Sequence, residues 1–139
     1  MTHELALQGL RVLVVEDQYT IAAELTRLLE EHGAVVVGPF GHLALASAAA
    51  RDTSQHLDAA VLDINLHSEA VFPVSDELRR RGIPFVFASG YQASALPVAY
   101  RNEAMVEKPV DANALATLLL ELALSRRGNR RVQCDVAQG

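Results

Sequence analysis

Short apolar runs alternate along the chain with longer segments in which apolar residues recur at helical spacing. The apolar runs lie at residues 12–15, 35–37, 59–62, 85–88 and 104–106. Short continuous apolar runs of this kind predict strands that are buried on both faces of a sheet. The first intervening segment places Ile21, Leu25, Leu28 and Leu29 on one stripe of a helix. The pattern therefore predicts repeats of a strand followed by a helix.

Residues with known end preferences mark the limits of these helices. Gly33 and Gly82 follow the first and third helices, and Arg79 to Arg81 place cations in the last turn of the third, where they suit the helix dipole. An Ala-rich helix is predicted over 42–51, and Asp111 is a good N-cap for the last helix. The apolar stripes of the third and last helices consist of Val71, Val74 and Leu78, and of Leu115, Leu118, Leu119 and Leu122.

The fourth helix is the weakest of the predicted elements. Its apolar pattern consists of Ala93, Leu96, Ala99 and Tyr100, and Pro97 interrupts it. Proline inside a helix removes a backbone donor and clashes with the preceding turn. We therefore expect this helix to be short or mobile.

Alternation of strands and helices decides the fold class. Such repeats need crossover connections, which give a parallel sheet covered on both faces, an α/β three-layer sandwich. A five-stranded open sheet of this size most often has the flavodoxin-like strand order 2-1-3-4-5. The predicted domain spans residues 8–125, and residues 126–139, which show no periodicity, are predicted to form a basic, disordered tail.

Composition narrows the possible partners and compartment. The chain has 139 residues with a net charge of −5, divided between an acidic body and a basic tail. An acidic body disfavours duplex nucleic acid as the partner, because that binding depends on neutralising phosphates. No apolar run approaches the roughly 20 residues that span a bilayer, so no membrane contact is predicted. A single cysteine, Cys134, fits a reducing compartment. A cytoplasmic location is predicted.

Polar residues follow four of the five predicted strands. Glu16 and Asp17 follow the first strand, Asp63 the third and Ser89 the fourth, while Lys108, the only lysine, comes shortly after the fifth. In open parallel sheets, functional groups gather outside the carboxyl ends of the strands near the point where the strand order reverses. These five side chains are therefore predicted to share one edge of the sheet.

Three carboxylates at one edge need a cation. Two unit charges about 5 Å apart repel by roughly 3 kcal/mol at an effective dielectric constant near 20. Mg²⁺ prefers oxygen ligands and usually combines carboxylates, water and a phosphate oxygen. A lysine and a hydroxyl suit the remaining phosphate oxygens, and an aspartate can accept a phosphoryl group as an acyl phosphate. The cluster therefore predicts Mg²⁺-dependent phosphoryl chemistry.

Four sequence runs together resemble the signature of response-regulator receiver domains. They are Val-Leu-Val-Val-Glu-Asp (12–17), Val-Leu-Asp-Ile-Asn-Leu (61–66), Phe-Ala-Ser-Gly-Tyr (87–91) and Glu-Lys-Pro (107–109). The resemblance covers residues 10 to about 125. It implies a CheY-like fold that accepts a phosphoryl group from a histidine kinase or phosphotransfer protein. Because no effector domain follows in this sequence, the output is expected to be a contact with a downstream protein.

The resemblance also assigns a role to each site residue. Asp63 corresponds to the phosphoacceptor, and Glu16 and Asp17 to the acidic pair that serves Mg²⁺. The backbone carbonyl of Asn65 would complete the metal shell. Ser89 corresponds to the switch hydroxyl, and Lys108 to the lysine that pairs with the phosphate and precedes a cis peptide bond to Pro109.

Two features depart from the usual family pattern. Met105 stands where most members have an aromatic switch residue, three positions before the lysine. The run 87–91 is similar to the Phe-Ala-Thr-Gly run of a subgroup of stand-alone receivers that lack this aromatic and are linked to general-stress signalling and kinases of the HWE class. In this chain Ser89 replaces the threonine. Tyr91 and Met105 are both candidates to replace the aromatic.

Two other classes of function are alternatives to a phosphorylated receiver. A small-molecule aspartyl-phosphate phosphatase would use Asp63 for repeated turnover, whereas a receiver catalyses only its own phosphorylation and dephosphorylation. A degenerate receiver or flavodoxin-like cofactor binder would act without phosphorylation. The second class is disfavoured because the acceptor, acidic pair, hydroxyl and lysine are all present and no glycine-rich phosphate loop follows the first strand.

Overall fold

A five-stranded parallel sheet forms the centre of the structure, a computed structural model that describes residues 5–67, 69–90 and 96–138, with side chains as far as residue 126. The strands are β1 (Arg11–Val15), β2 (Val35–Phe40), β3 (Ala59–Asp63), β4 (Asn65–Leu66), β5 (Glu69–Ala70), β6 (Phe85–Ser89) and β7 (Met105–Glu107). The helices are α1 (Tyr19–Glu31), α2 (Leu43–Arg51), α3 (Phe72–Arg81) and α4 (Ala112–Gln138), and Val98–Tyr100 form a 3₁₀ turn.

The order of the central strands is β2-β1-β3-β6-β7, and every pair is parallel. The strands β4 and β5 form a separate antiparallel hairpin. Counted without this hairpin, the sheet has the predicted order 2-1-3-4-5. The predicted fold class, a flavodoxin-like three-layer α/β sandwich, is confirmed.

Alternate residues of the inner strands supply two cores, one on each face of the sheet. Leu13 and Val15 pack with residues of α2 and α3, whereas Val12 and Val14 pack with residues of α1 and α4. This alternation follows from the pleat of a strand, in which successive side chains point to opposite faces. It explains why β1 and β3 are continuous apolar runs. The predicted stripe of α3, Val71, Val74 and Leu78, is fully buried.

The second strand extends further than the sequence indicated. The predicted run ends at residue 37, before Gly38 and Pro39, but β2 continues to Phe40. Proline is tolerated here because β2 is an edge strand, where one side of the backbone forms no ladder. Gly38 has φ +107°, and a Cβ atom there would lie 2.9 Å from the carbonyl oxygen of Val14. Glycine is therefore required at the point where the register of β1 and β2 shifts.

Two segments differ from simple strand–helix repeats. In the described part of the fourth crossover, residues 96–104, the helical element is the 3₁₀ turn Val98–Tyr100, directly after Pro97. The length of the predicted helix stays a prediction. Ala93 lies outside the described residues, and mobility stays a prediction. The hairpin β4–β5 was not predicted, because two-residue strands are too short to show an apolar pattern.

The last helix continues beyond the predicted domain boundary. Whereas the sequence predicts a disordered tail from residue 126, the backbone of α4 is helical to Gln138. Arginine, glutamine and alanine favour helix, and the extension of an existing helix requires no new nucleation step. The boundary at residue 125 stays a prediction. Among the described helices none is long and apolar enough to cross a membrane.

Asp111 caps α4 as predicted, and its removal has a measurable cost. Its Oδ1 accepts the backbone N–H groups of Asn113 and Ala114 at 2.9 and 3.1 Å. We expect Asp111→Ala to lower the free energy of unfolding by about 1 kcal/mol, because two helix-end donors lose their acceptor. Urea unfolding followed by circular dichroism measures this loss, and Asp111→Asn should retain most of the stability. Equal stability of the alanine variant and the parent would contradict the capping role.

Candidate functional site

An open cavity of about 420 Å³ lies at the carboxyl ends of β1, β3 and β6. Its lining includes Asp17, Asp63, Asn65, His67, Ser89 and Lys108. β1 ends just before Glu16 and Asp17, and β3 and β6 end on Asp63 and Ser89, so these polar residues lie at the same edge of the sheet on neighbouring strands. The structure therefore brings together the predicted acceptor, hydroxyl and lysine, and one member of the acidic pair lines the same cavity.

The other member of the acidic pair lies beneath the cavity. The side chain of Glu16 is fully buried, and its Oε1 lies 2.8 Å from Lys108 Nζ. Its Oε2 accepts the backbone N–H of Gln18 at 3.2 Å. Lys108 Nζ also lies 3.5 Å from Asp63 Oδ1. One ammonium thus bridges two buried carboxylates, and Glu16 holds the lysine as well as contributing negative charge to the site.

The pKa of Asp63 is raised from 3.8 to about 7. Burial is the largest cause, and repulsion by Glu16 adds to it, while Lys108 opposes both. The backbone N–H of Asn65 donates to Asp63 Oδ1 at 3.4 Å and also favours the ionised form. The pKa of Lys108 is raised as well. Burial would lower it, but hydrogen bonding and attraction to Glu16 and Asp63 prevail.

Asp17 is held in its ionised form by a different set of contacts. Its Oδ2 accepts the backbone N–H of His67 at 2.8 Å, and His67 Nδ1 lies 3.7 Å away. Burial alone would raise the pKa of Asp17, but the hydrogen bonds from the His67 backbone and with Asp63 together keep it below 3.8. Asp17 is therefore a carboxylate at neutral pH and is available to a cation.

The donor set fits a hard divalent cation. Glu16, Asp17 and Asp63 each offer a carboxylate oxygen, and these atoms lie within 4.8 Å of one another. Three carboxylates against one lysine leave an excess of negative charge, and oxygen donors beside open solvent match the preference of Mg²⁺ for carboxylates and water. Asp17, Asp63 and Asn65 face the cavity and would hold the ion. Glu16 would act mainly through its charge and through Lys108.

The end of β6 connects the hydroxyl to the lysine. Ser89 is 2 % exposed, and its carbonyl oxygen accepts the backbone N–H of Lys108 at 3.0 Å. The Lys108–Pro109 peptide bond is cis, as the resemblance implied. Met105 is half-buried and packs against the core that contains Leu62 and Phe87. Tyr91, the other candidate to replace the aromatic switch, lies outside the described residues.

Little in the sequence indicated that two histidines would lie at or beside the site. His67 has φ +46° and follows β4, and its ring stacks on that of His42 with centroids 5.3 Å apart. In the sequence, His67 is marked only by its position four residues after Asp63. The contact between the His67 backbone and Asp17 could not be foreseen, because it depends on the unpredicted hairpin.

Several solved structures are similar to this chain. The solution structure of SdrG from Sphingomonas melonis Fr1 has 34% sequence identity and a TM-score of 0.69, and the match covers 84% of this chain and 97% of that one. The BeF₃-activated conformation of SdrG from Pseudomonas melonis Fr1 has 34% identity and a TM-score of 0.64 over 86% and 99% of the two chains. A CheY-like response regulator receiver domain protein from Methanospirillum hungatei JF-1 has 20% identity and a TM-score of 0.75 over 88% and 99%.

Comparisons of other kinds give no match. No protein-family model matches the sequence, and no curated protein matches it. The similarity to solved structures therefore carries the assignment, together with the site residues described above.

Proposed function

The chain belongs to the receiver-domain family of response regulators, and from this premise we propose that Asp63 accepts a phosphoryl group from a histidine kinase or phosphotransfer protein. Phosphorylation would then change the affinity of the domain for a downstream protein. The observation that carries the proposal is the position of Asp63, which lines an open cavity together with Lys108, Ser89 and Asp17. Each of these residues has a part in phosphoryl transfer to a carboxylate.

The acceptor step requires Asp63 to be ionised and accessible. A carboxylate oxygen of Asp63 attacks phosphorus, the bond between phosphorus and the donor nitrogen breaks, and the nitrogen keeps the electron pair. Bound Mg²⁺ supplies positive charge that neutralises the phosphoryl oxygens and favours the ionised form of the acceptor. Asp17 and Asp63 would hold the ion, and Asn65 would contribute its backbone carbonyl.

Lys108 and Ser89 would stabilise the product. Lys108 Nζ is closer to Glu16 than to Asp63, by 2.8 against 3.5 Å, so an arriving phosphoryl group competes with Glu16 for the ammonium. Ser89 lies in the same cavity lining and can donate its hydroxyl to another phosphoryl oxygen. The phosphoryl oxygens would thereby accept charge-assisted hydrogen bonds from the ammonium and the hydroxyl.

The subgroup is a finer part of the proposal. Met105 in place of an aromatic and the run Phe87–Tyr91 support placement among stand-alone receivers with a Phe-Ala-Thr-Gly run. That placement would connect the domain to general-stress signalling and to kinases of the HWE class. A cytoplasmic location follows from such partners, because their phosphotransfer reactions occur on the cytoplasmic side of the membrane.

Intact-mass measurement tests the proposal against its rivals. We expect one phosphoryl adduct per chain after incubation with acetyl phosphate and Mg²⁺, no adduct for Asp63→Asn, and at least tenfold slower labelling for Asp17→Asn, because that variant loses a charge at the metal. Glu69→Gln, an exposed change on the hairpin, is the matched control and should label normally. Sustained release of phosphate over many turnovers would favour the phosphatase. No adduct with acetyl phosphate or with a phosphorylated phosphotransfer protein would favour the degenerate receiver.

A further inference from the structure

An imidazole lies beside the carboxylates of the candidate site. His67 Nδ1 is 3.7 Å from Asp17 Oδ2, and His67 lines the same cavity as Asp63 and Asn65. The side chain of His67 is 58% exposed, so solvent and ions reach the ring directly. In a neutral imidazole one ring nitrogen carries a proton, and the other has a lone pair that binds metal ions. The site therefore offers a nitrogen ligand in addition to its oxygen ligands.

Contacts of the backbone and of the ring position His67 beside Asp17. Its backbone N–H donates to Asp17 Oδ2 at 2.8 Å, and its φ of +46° lies in the left-handed region, which residues other than glycine rarely adopt. The ring stacks on that of His42, which immediately precedes α2, with centroids 5.3 Å apart and planes inclined by 22°. The nearness of Nδ1 to the carboxylate is therefore supported by contacts other than the ion pair itself.

The distance between the two atoms fits a shared ion better than a direct hydrogen bond. A hydrogen bond from nitrogen to oxygen spans about 2.7–3.2 Å, and the observed 3.7 Å exceeds it. Two ligand atoms that bind one six-coordinate ion at about 2.1 Å lie about 3 Å apart when adjacent and about 4 Å apart when opposite. The observed separation falls between these values. Because His67 lies outside the group of three carboxylates whose oxygens are within 4.8 Å of one another, its nitrogen would reach the ion from the side of Asp17.

We propose that His67 Nδ1 is a ligand of the divalent ion at this site, and that the site therefore prefers a divalent transition-metal ion to Mg²⁺. The inference rests on the proposed function and names the class of ion that the acceptor site takes. Mg²⁺ binds oxygen ligands and demands near-ideal octahedral geometry. Divalent transition-metal ions accept imidazole as well as carboxylates. A mixed set of carboxylates, a carbonyl and one imidazole thus favours the second class of ion.

An ion pair without metal ligation predicts the opposite effect of removing the ring. An imidazolium beside Asp17 repels a cation, so its loss would strengthen the binding of Mg²⁺ and of a transition-metal ion alike. The loss of a nitrogen ligand instead weakens the binding of the transition-metal ion and leaves the affinity for Mg²⁺ nearly unchanged. The ratio of the two affinities therefore distinguishes a metal ligand from a neighbouring charge.

Electron paramagnetic resonance with Mn²⁺ as the probe tests this ratio on the full chain at pH 8. The signal of free Mn²⁺ gives its affinity for the protein, and displacement by Mg²⁺ gives the ratio. His67→Phe keeps a ring to stack on His42 and keeps the backbone N–H, but it removes the ligand atom. We expect it to lower the preference for Mn²⁺ about tenfold. His42→Phe is the matched control, because it removes the other imidazole of the stack, and it should retain the preference of the parent protein.

Electron spin-echo modulation identifies the ligand independently of the affinities. Mn²⁺ bound to the parent protein should show modulation by an imidazole nitrogen, which changes when histidine is labelled with ¹⁵N. The modulation should disappear in His67→Phe and persist in His42→Phe. Bound Mn²⁺ without histidine modulation, or an unchanged preference for Mn²⁺ in His67→Phe, would overturn the inference and leave the proposed function standing. If neither Mn²⁺ nor Mg²⁺ binds the parent protein, the metal dependence of the proposed function fails together with the inference.

Discussion

Replacing Lys108 by methionine is expected to lower the free energy of unfolding by about 3 kcal/mol at pH 7.5. The ammonium lies 2.8 Å from the fully buried Glu16 carboxylate and 3.5 Å from Asp63. Methionine keeps most of the side-chain volume but leaves two carboxylates without their cation. Removal of one partner from a buried ion pair typically costs 3–5 kcal/mol, because the remaining charge is uncompensated. The lower end applies here because Asp63 can take up a proton.

Urea unfolding of metal-free protein measures this loss of stability, and two further variants serve as comparisons. Glu16→Gln combined with Lys108→Met should recover most of the lost stability, since the buried charge is then removed together with its partner. Arg27→Ala breaks ion pairs with Glu24 and Glu31 whose side chains are more than half exposed, and such pairs contribute at most about 1 kcal/mol. If Lys108→Met costs no more than Arg27→Ala, the central role given to the ammonium is wrong.

Replacing Asp63 by asparagine is expected to raise the free energy of unfolding of the metal-free protein by about 2 kcal/mol at pH 8. This change is opposite in sign to that expected for Lys108→Met. Burial and Glu16 raise the pKa of Asp63 to about 7 in the folded protein, whereas an unfolded aspartate titrates near 3.9. Above pH 7 the folded state must hold a carboxylate that the unfolded state solvates freely. About three pKa units correspond to roughly 4 kcal/mol, which we halve because the cavity admits water.

The raised pKa of Asp63 determines whether the stability of the protein rises or falls with pH. Between about pH 4 and pH 7 the folded protein binds more protons at Asp63 than the unfolded protein does, so stability falls as the pH rises through this range. Below pH 4 Asp63 is protonated in both the folded and the unfolded state, so the burial of its carboxylate no longer lowers the stability. We expect the stability difference between Asp63→Asn and the parent protein to grow from near zero at pH 4 to its full value above pH 7. A difference that does not change with pH would contradict the raised pKa.

Much of the fold could be predicted because it depends on local patterns. The runs at 12–15 and 59–62 are apolar on every residue, as required of strands buried on both faces, and both are buried. Gly82 adopts φ +71° at the end of α3, as expected of a glycine that ends a helix. The convergence of Asp17, Asp63, Ser89 and Lys108 follows from strand order alone. These features need no knowledge of which distant side chains touch.

What could not be predicted depends on contacts between distant parts of the chain. The sequence places Glu16 beside Asp17 but does not show that Glu16 is buried against Lys108, which is 92 residues away. The His67 contact with Asp17 depends on a hairpin of two-residue strands. Tyr100 was one apolar position in a weak helical pattern, and its contacts with Phe72 and Arg79 arise only because residues 96–104 pack on α3.

The identity of the phosphorylated residue tests the central claim most directly. Borohydride reduces an aspartyl phosphate to homoserine with release of phosphate, and trypsin frees Asp63 within the peptide 52–79, because no arginine or lysine lies between Arg51 and Arg79. After treatment with acetyl phosphate and Mg²⁺, tandem mass spectrometry should find homoserine at position 63 and nowhere else in that peptide. Homoserine at Asp58 or Asp76, or none despite an intact-mass adduct, would contradict the assignment of Asp63 as the phosphoacceptor.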